Sequence, residues 1–189
     1  MNKKLNLRVI VMSSALSAVS AALQLFHLGY QSPQWGMWID LVAVSWIMAY
    51  FMFGLRSSLL VSFLGAIIIT LFAPDTWLGA SMKLAATLPV IFSFYFYDRV
   101  KIKINKESRK FISLAVPVLA GLIWRSLIVV PANYYYAIPI WTGWSTQEAM
   151  AAIPWYIIVL FNSVQTIIDA ALAYILVFRF RLNRYGSHG

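Results

Sequence analysis

Seven polar residues stand where an apolar chain has least use for them. Asn162, Gln165 and Asp169 follow at i, i+3 and i+7 in an otherwise apolar segment, so they share one face of a helix. Lys83 and Arg125 interrupt two further apolar runs, Asn133 stands just past the end of the second of these, and Asp40 near the start of another. Amides and fixed charges at such positions suit recognition of a ligand by hydrogen bonds. They do not form a nucleophile and base. The acids are scattered rather than paired, and no GxxxxGK[ST], HExxH or GxSxG pattern occurs. With no cysteine and only His27 and His188, thiolate or histidine-rich metal sites, disulfides and histidine relays are excluded or improbable. The residues point to binding rather than catalysis.

The environment of these groups follows from composition. Of 189 residues, 61% are hydrophobic and 11% charged, against about a quarter charged in soluble domains. Mean hydropathy is +0.76. This reads as an all-α integral membrane protein, a single transmembrane domain over residues 1–189. A helix needs roughly 20 apolar residues to cross about 30 Å of hydrocarbon, and six segments qualify, at 9–26, 37–53, 57–73, 80–97, 111–131 and 152–178. The N-terminal stretch also has the basic start and small residues of a secretory leader, but removing it would leave an odd number of spans.

Charge sets the orientation. Net charge is +9, which in a soluble chain would raise nucleic acid as a partner; here the positive-inside bias accounts for it. Of fifteen Lys and Arg, thirteen precede the first span, lie between the second and third or the fourth and fifth, or follow the sixth. Loops 27–36, 74–79 and 132–151 have none. Both termini are therefore expected in the cytoplasm of a cell that carries this chain in its plasma membrane.

On that frame Lys83 lies about three residues from the outer end of its span, where it either snorkels to headgroups or enters a cavity. Arg125 is about 9 Å below the outer end of the fifth span, deep enough to need a buried partner or a ligand. Asp40 sits at the level of Lys83 and is a candidate ion-pair partner. Asp169 lies nearer the cytoplasm, as a packing or coupling residue. Asp40, Lys83, Arg125, Asn133, Asn162 and Gln165 together describe a polar pocket open to the outside; interhelical hydrogen bonding that merely holds the bundle is the plainer alternative.

Aromatic residues crowd the same side. Trp35, Trp38, Tyr134, Tyr135, Tyr136, Trp141, Trp144 and Trp155 lie near the outer interface. An aromatic belt explains part of this, but the outward bias of the tryptophans favours a planar ligand held by stacking. Pro131 marks where the fifth helix can stop, which leaves Asn133 and some of the three tyrosines as wall or lid. In the first span Ser14, Ala18 and Ala22 recur every four residues, as do Ser13, Ser17 and Ala21, a small-residue face that permits close approach of another helix.

Two stretches carry a family resemblance: "WRSLIVVPANYYYAIPIW" (124–141) and "LFNSVQTIIDAALAYILVFRF" (160–180), with support from residues 39–67 and the small-residue face of span one. The chain resembles the substrate-binding S components of energy-coupling factor (ECF) vitamin transporters, most closely the riboflavin branch. The resemblance implies six helices with cytoplasmic termini and a vitamin site near the outer side, built from spans four to six and capped by external loops. It implies that the Ala18 to Ala22 face meets a transmembrane coupling subunit energised by two ATPase subunits. It assigns Asn133 and Asn162 to holding the flavin ring of riboflavin, a transported ligand rather than a cofactor. Two residues depart from that branch: Gln165 replaces a common lysine, and Val44 a common proline. Glutamine still donates to a carbonyl but carries no charge. The reading is therefore riboflavin capture at the extracellular face; another vitamin or planar heterocycle, an intramembrane enzyme and a purely structural subunit are the alternatives.

Overall fold

The computed structural model describes residues 7–26, 29–72, 76–101 and 111–186. Lys3, Lys4, His27, Pro74, Asp75, Lys103, Lys106, Arg109, Lys110 and His188 lie outside the described residues. Each apolar segment forms a helix: α1 (Leu7–Leu25), α2 (Val42–Phe53), α3 (Leu55–Phe72), α4 (Thr76–Lys101), α5 (Ala115–Ala132) and, after the short helices α6 (Ile138–Thr142) and α7 (Thr146–Ala152), α8 (Trp155–Tyr174). Strands β1 (Gly29–Gln31) and β2 (Trp38–Asp40) form an antiparallel hairpin between α1 and α2.

Among the described residues, four stretches are by length and composition long and apolar enough to cross a membrane: Leu7–Leu25, Trp77–Val100, Ala115–Thr142 and Trp155–Arg179. The helices Val42–Phe53 and Leu55–Leu71 are apolar but shorter. The 12 residues of α2 extend only about 18 Å at about 1.5 Å per residue. Residues 37–41, expected to begin this helix, instead form the end of the hairpin and its turn into α2.

Every residue of α2 is buried. A helix apolar on all sides belongs at the centre, and α1, α3, α4 and α8 all pack against it. Lipid tails are as apolar as leucine, so small residues and interhelical hydrogen bonds must provide the close fit. The Trp46 indole donates to Ser20 Oγ at 2.7 Å, and Ser58 Oγ donates to the Trp46 carbonyl at 2.7 Å. At Gly65 a Cβ would come within 3.0 Å of both Ser20 Oγ and Trp46 Nε1, so glycine lets α3 close on this pair. Gly54 separates α2 from α3 at φ 86°, ψ −175°, a backbone that side-chain-bearing residues resist.

The fifth helix alternates in function as well as position. Gly121, Arg125 and Val129 face inward, whereas Leu119, Ile123 and Leu127 are 60%, 62% and 70% exposed. Polar within and apolar without is the arrangement lipid demands. At the end remote from the hairpin, Tyr50 donates to Asp98 at 2.6 Å, Phe51 packs on Phe178, and Arg99 stacks on Tyr95.

Pro131 does not stop the chain's helical course. A π-helical turn, Asn133–Ala137, carries it from α5 into α6; the Asn133 N–H reaches the Val129 and Val130 carbonyls, re-satisfying the register that proline disturbs. The helix ends at Gly143, φ 75°. Much of the expected loop 132–151 is thus ordered helix. In α7 a reciprocal cap closes the start: Glu148 N–H donates to Ser145 Oγ at 3.3 Å, and Ser145 N–H to Glu148 Oε2 at 2.8 Å. The Ser145 backbone N–H first, and then the Ser145 hydroxyl donating to the same Glu148 oxygen at 2.8 Å, hold the exposed Glu148 carboxyl below its usual range. Pro154 stands at the N-cap of α8, whose first residue, Trp155, comes three after the expected span start at 152.

Candidate functional site

A cavity of about 660 Å³ opens among the hairpin, α1, α4, α5, α6 and α8. All six polar residues grouped from the sequence line it: Asp40, Lys83, Arg125, Asn133, Asn162 and Gln165. They come from four regions of chain because the hairpin folds back over α8 and two long helices cross beside it.

Gln165 makes the junction between α8 and the hairpin. Its Oε1 accepts from the Asp40 N–H at 2.8 Å, and its Nε2 donates to the Asp40 carbonyl at 2.7 Å. This two-point pairing fixes which way the amide faces. The second Nε2 hydrogen goes to Asp169 Oδ1 at 2.7 Å. A glutamine amide has two N–H donors, and both are engaged, so Gln165 lines the wall without a hydrogen left to donate to a ligand carbonyl. That corrects the expectation that it reads a ring edge. Asp169, one helical turn further along α8, is 1% exposed, and its Oδ2 has no hydrogen-bond partner among the described residues.

Asp40 is pinned on both oxygens. Oδ1 accepts from the Val42 N–H at 2.9 Å, holding the start of α2, and Oδ2 pairs with the Lys83 ammonium. Lys83 therefore turns inward to a carboxylate instead of snorkelling. Across the cavity Arg125 donates from Nε to Asn162 Oδ1 at 2.8 Å and from Nη1 to Thr166 Oγ1 at 3.1 Å. Asn162 donates back to the Ile158 carbonyl and Asn133 to the Val129 carbonyl, each at 2.8 Å. Each asparagine spends one amide hydrogen on its own helix and keeps the other. Thr166, four residues beyond Asn162, was legible as part of the polar stripe but was not singled out.

The three tyrosines do not line this cavity. Asn133, Ala137 and Ile138 do, so the positions between them turn to other faces of the π turn. Tyr134 is buried, with its hydroxyl on the Ile153 carbonyl at 2.7 Å. Tyr135 is 69% exposed. Tyr136 packs edge-on to Trp77 and shares a 3.1 Å hydrogen bond with Ser81. Aromatic wall is supplied instead by Trp35, Trp38, Trp77, Trp141, Trp144 and Phe161, with Trp35 set edge-on to Phe161 at 6.1 Å between centroids. Trp155 is outside the lining and 61% exposed. Trp77, Gln24 and Gln34 are lining residues that the sequence reading missed; Gln24 and Trp77 stand at helix ends and Gln34 in the hairpin turn, where a single residue gives no phase from which to assign a face.

On α1 the small residues divide by angle. Ser13, Ser17, Ser20 and Ala21 face inward, while Ser14 and Ala18 are exposed and Ala22 is half-buried.

No family model matches the chain, and no curated protein matches it. Among solved structures, it is similar to the S component of a bacterial ECF transporter: TM-score 0.70 and 20% sequence identity, over 93% of this chain and 96% of that one. The two chains share a fold.

Proposed function

We propose that the chain is the membrane-embedded substrate-binding (S) component of an ECF-type transporter, capturing riboflavin at the extracellular face for ATP-driven uptake by partner subunits. The observation that carries this reading is the cavity: about 660 Å³, lined by tryptophans and by convergent amides and charges, in a chain sharing the fold of an ECF S component. Such a mixture of aromatic wall and few polar groups suits a planar heterocycle. The polar groups form bonds with one another and with backbone, and none is arranged as nucleophile and base, which favours binding over an intramembrane reaction.

In this reading six helices cross the plasma membrane, with both termini in the cytoplasm. Arg56, Arg99, Arg179, Arg181 and Arg184 support that orientation, since they lie in the segments opposite the hairpin end. Asn133 and Asn162, each with an unused amide hydrogen, hold the ring, and Trp35, Trp77, Trp141 and Trp144 cover it. The exposed Ser14 and Ala18, with Ala22, form the approach surface for the transmembrane coupling subunit, which two ATPase subunits drive. No nucleic acid is involved. Gently purified protein should carry the yellow absorption of bound flavin or take it up from added riboflavin; a colourless protein whose melting temperature riboflavin does not raise would refute this ligand.

A further inference from the structure

Cations outnumber carboxylates on the cavity wall. Its charged lining residues are Asp40, Lys83 and Arg125, and Asp40 is already paired with Lys83. Arg125 is 6% exposed, yet both groups it bonds, Asn162 Oδ1 and Thr166 Oγ1, are neutral. Among the described residues no carboxylate lies within 4.0 Å of it. A guanidinium has five N–H groups; the two on Nη2 and one on Nη1 have no acceptor among the described residues. Asp169 acts on Arg125 through space, but it does not line the cavity and its hydrogen bond goes to Gln165.

A buried cation held only by neutral acceptors is costly, and an anion with matched geometry relieves that cost. A carboxylate does so with two parallel charge-assisted hydrogen bonds, which the Nη1 and Nη2 hydrogens are arranged to supply. A neutral ring carbonyl would use one of them and bring no charge of its own.

We infer that the cavity prefers a planar heteroaromatic carboxylate, its acid group on the free edge of Arg125 and its ring between the tryptophans, over a neutral ring of the same size. The inference rests on the binding-cavity reading above but not on riboflavin, which carries no carboxylate, as its ligand. Arg125 then serves specificity, beyond joining α5 to α8 through Asn162 and Thr166.

Two probes of one ring system test this: phenazine-1-carboxylate and phenazine-1-carboxamide, titrated against tryptophan fluorescence of the full chain in lipid nanodiscs at pH 7. The carboxylate should bind about tenfold tighter or more, the scale of a charge-assisted hydrogen-bond pair. In Arg125→Gln the ratio should fall to about one, and Arg125→Lys should restore part of it. Equal affinities in the unaltered chain, failure of both probes to bind, or a ratio that survives Arg125→Gln would each overturn the inference. The comparison in the unaltered chain decides even if a variant does not fold. Riboflavin in the same series separates the two readings: flavin binding without acid preference removes this inference alone, whereas acid preference without flavin binding removes riboflavin as the ligand.

Discussion

Replacing Gln165 by leucine removes three buried hydrogen bonds at once, those to the Asp40 N–H, the Asp40 carbonyl and Asp169 Oδ1. Volume and helix propensity change little, so the effect isolates the polar strap between hairpin and α8. Net hydrogen bonds are worth about 1 kcal/mol each in soluble proteins and about 0.6 in membrane bundles. Leaving a buried N–H without a partner adds about 1–3 kcal/mol. Asp40 is 7% exposed and Asp169 1%, so water does not readily replace what is lost. The expected cost is about 3 kcal/mol, on the order of 100-fold in the population of the unpinned hairpin. Amide hydrogen exchange read at residues 38–40 measures this opening directly, and the melting temperature should fall with it. Gln165→Glu should be no milder, since it loses both donors and places a second carboxylate beside Asp169. Unchanged exchange at Asp40 and an unchanged melting temperature in Gln165→Leu would refute the strap.

Three further outcomes follow from the same geometry. Asp40→Asn and Lys83→Met should each destabilise by about 3 kcal/mol, because each leaves one buried charge alone, while the double variant should lose less than the two together in a thermal double-mutant cycle. Gly121→Ala should lower the melting temperature, since the added Cβ would stand 2.8 Å from Ser93 Oγ and 3.1 Å from the Val90 backbone; at about 1–3 kcal/mol for overpacking, an unchanged melting temperature contradicts the α4 to α5 contact. Trp141→Ala should weaken riboflavin binding in a fluorescence titration, whereas Tyr135→Ala, on the exposed side of the π turn, should leave it unchanged.

What the sequence disclosed and what it hid follow from range. The helices were legible because apolar runs are local, and the polar stripe on α8 because i, i+3 and i+7 share a face whatever packs against it. Residues 37–41 read as the start of α2 because apolar character does not distinguish a buried strand from a helix over so few residues. The tyrosines were misread because Pro131 suggested a helix end: the chain stays helical through residue 142, so Asn133 and Ala137, four apart, face the cavity while Tyr134, Tyr135 and Tyr136 turn to other faces. Gln165 was identifiable as a polar residue in an apolar helix, but its partner is 125 positions away. Composition cannot tell an amide that awaits a ligand from one already spent on backbone.

The central claim, that this cavity captures a flavin-type ring for an ECF-type transporter, is tested most directly by titrating riboflavin into the full chain in lipid nanodiscs. Trp35, Trp38, Trp77, Trp141 and Trp144 line the cavity, so a ring seated among them must quench their emission. The account predicts saturable quenching at one riboflavin per chain, weakened in Asn162→Ala. Emission that declines only linearly with added riboflavin, as for collision with free ligand, would contradict it.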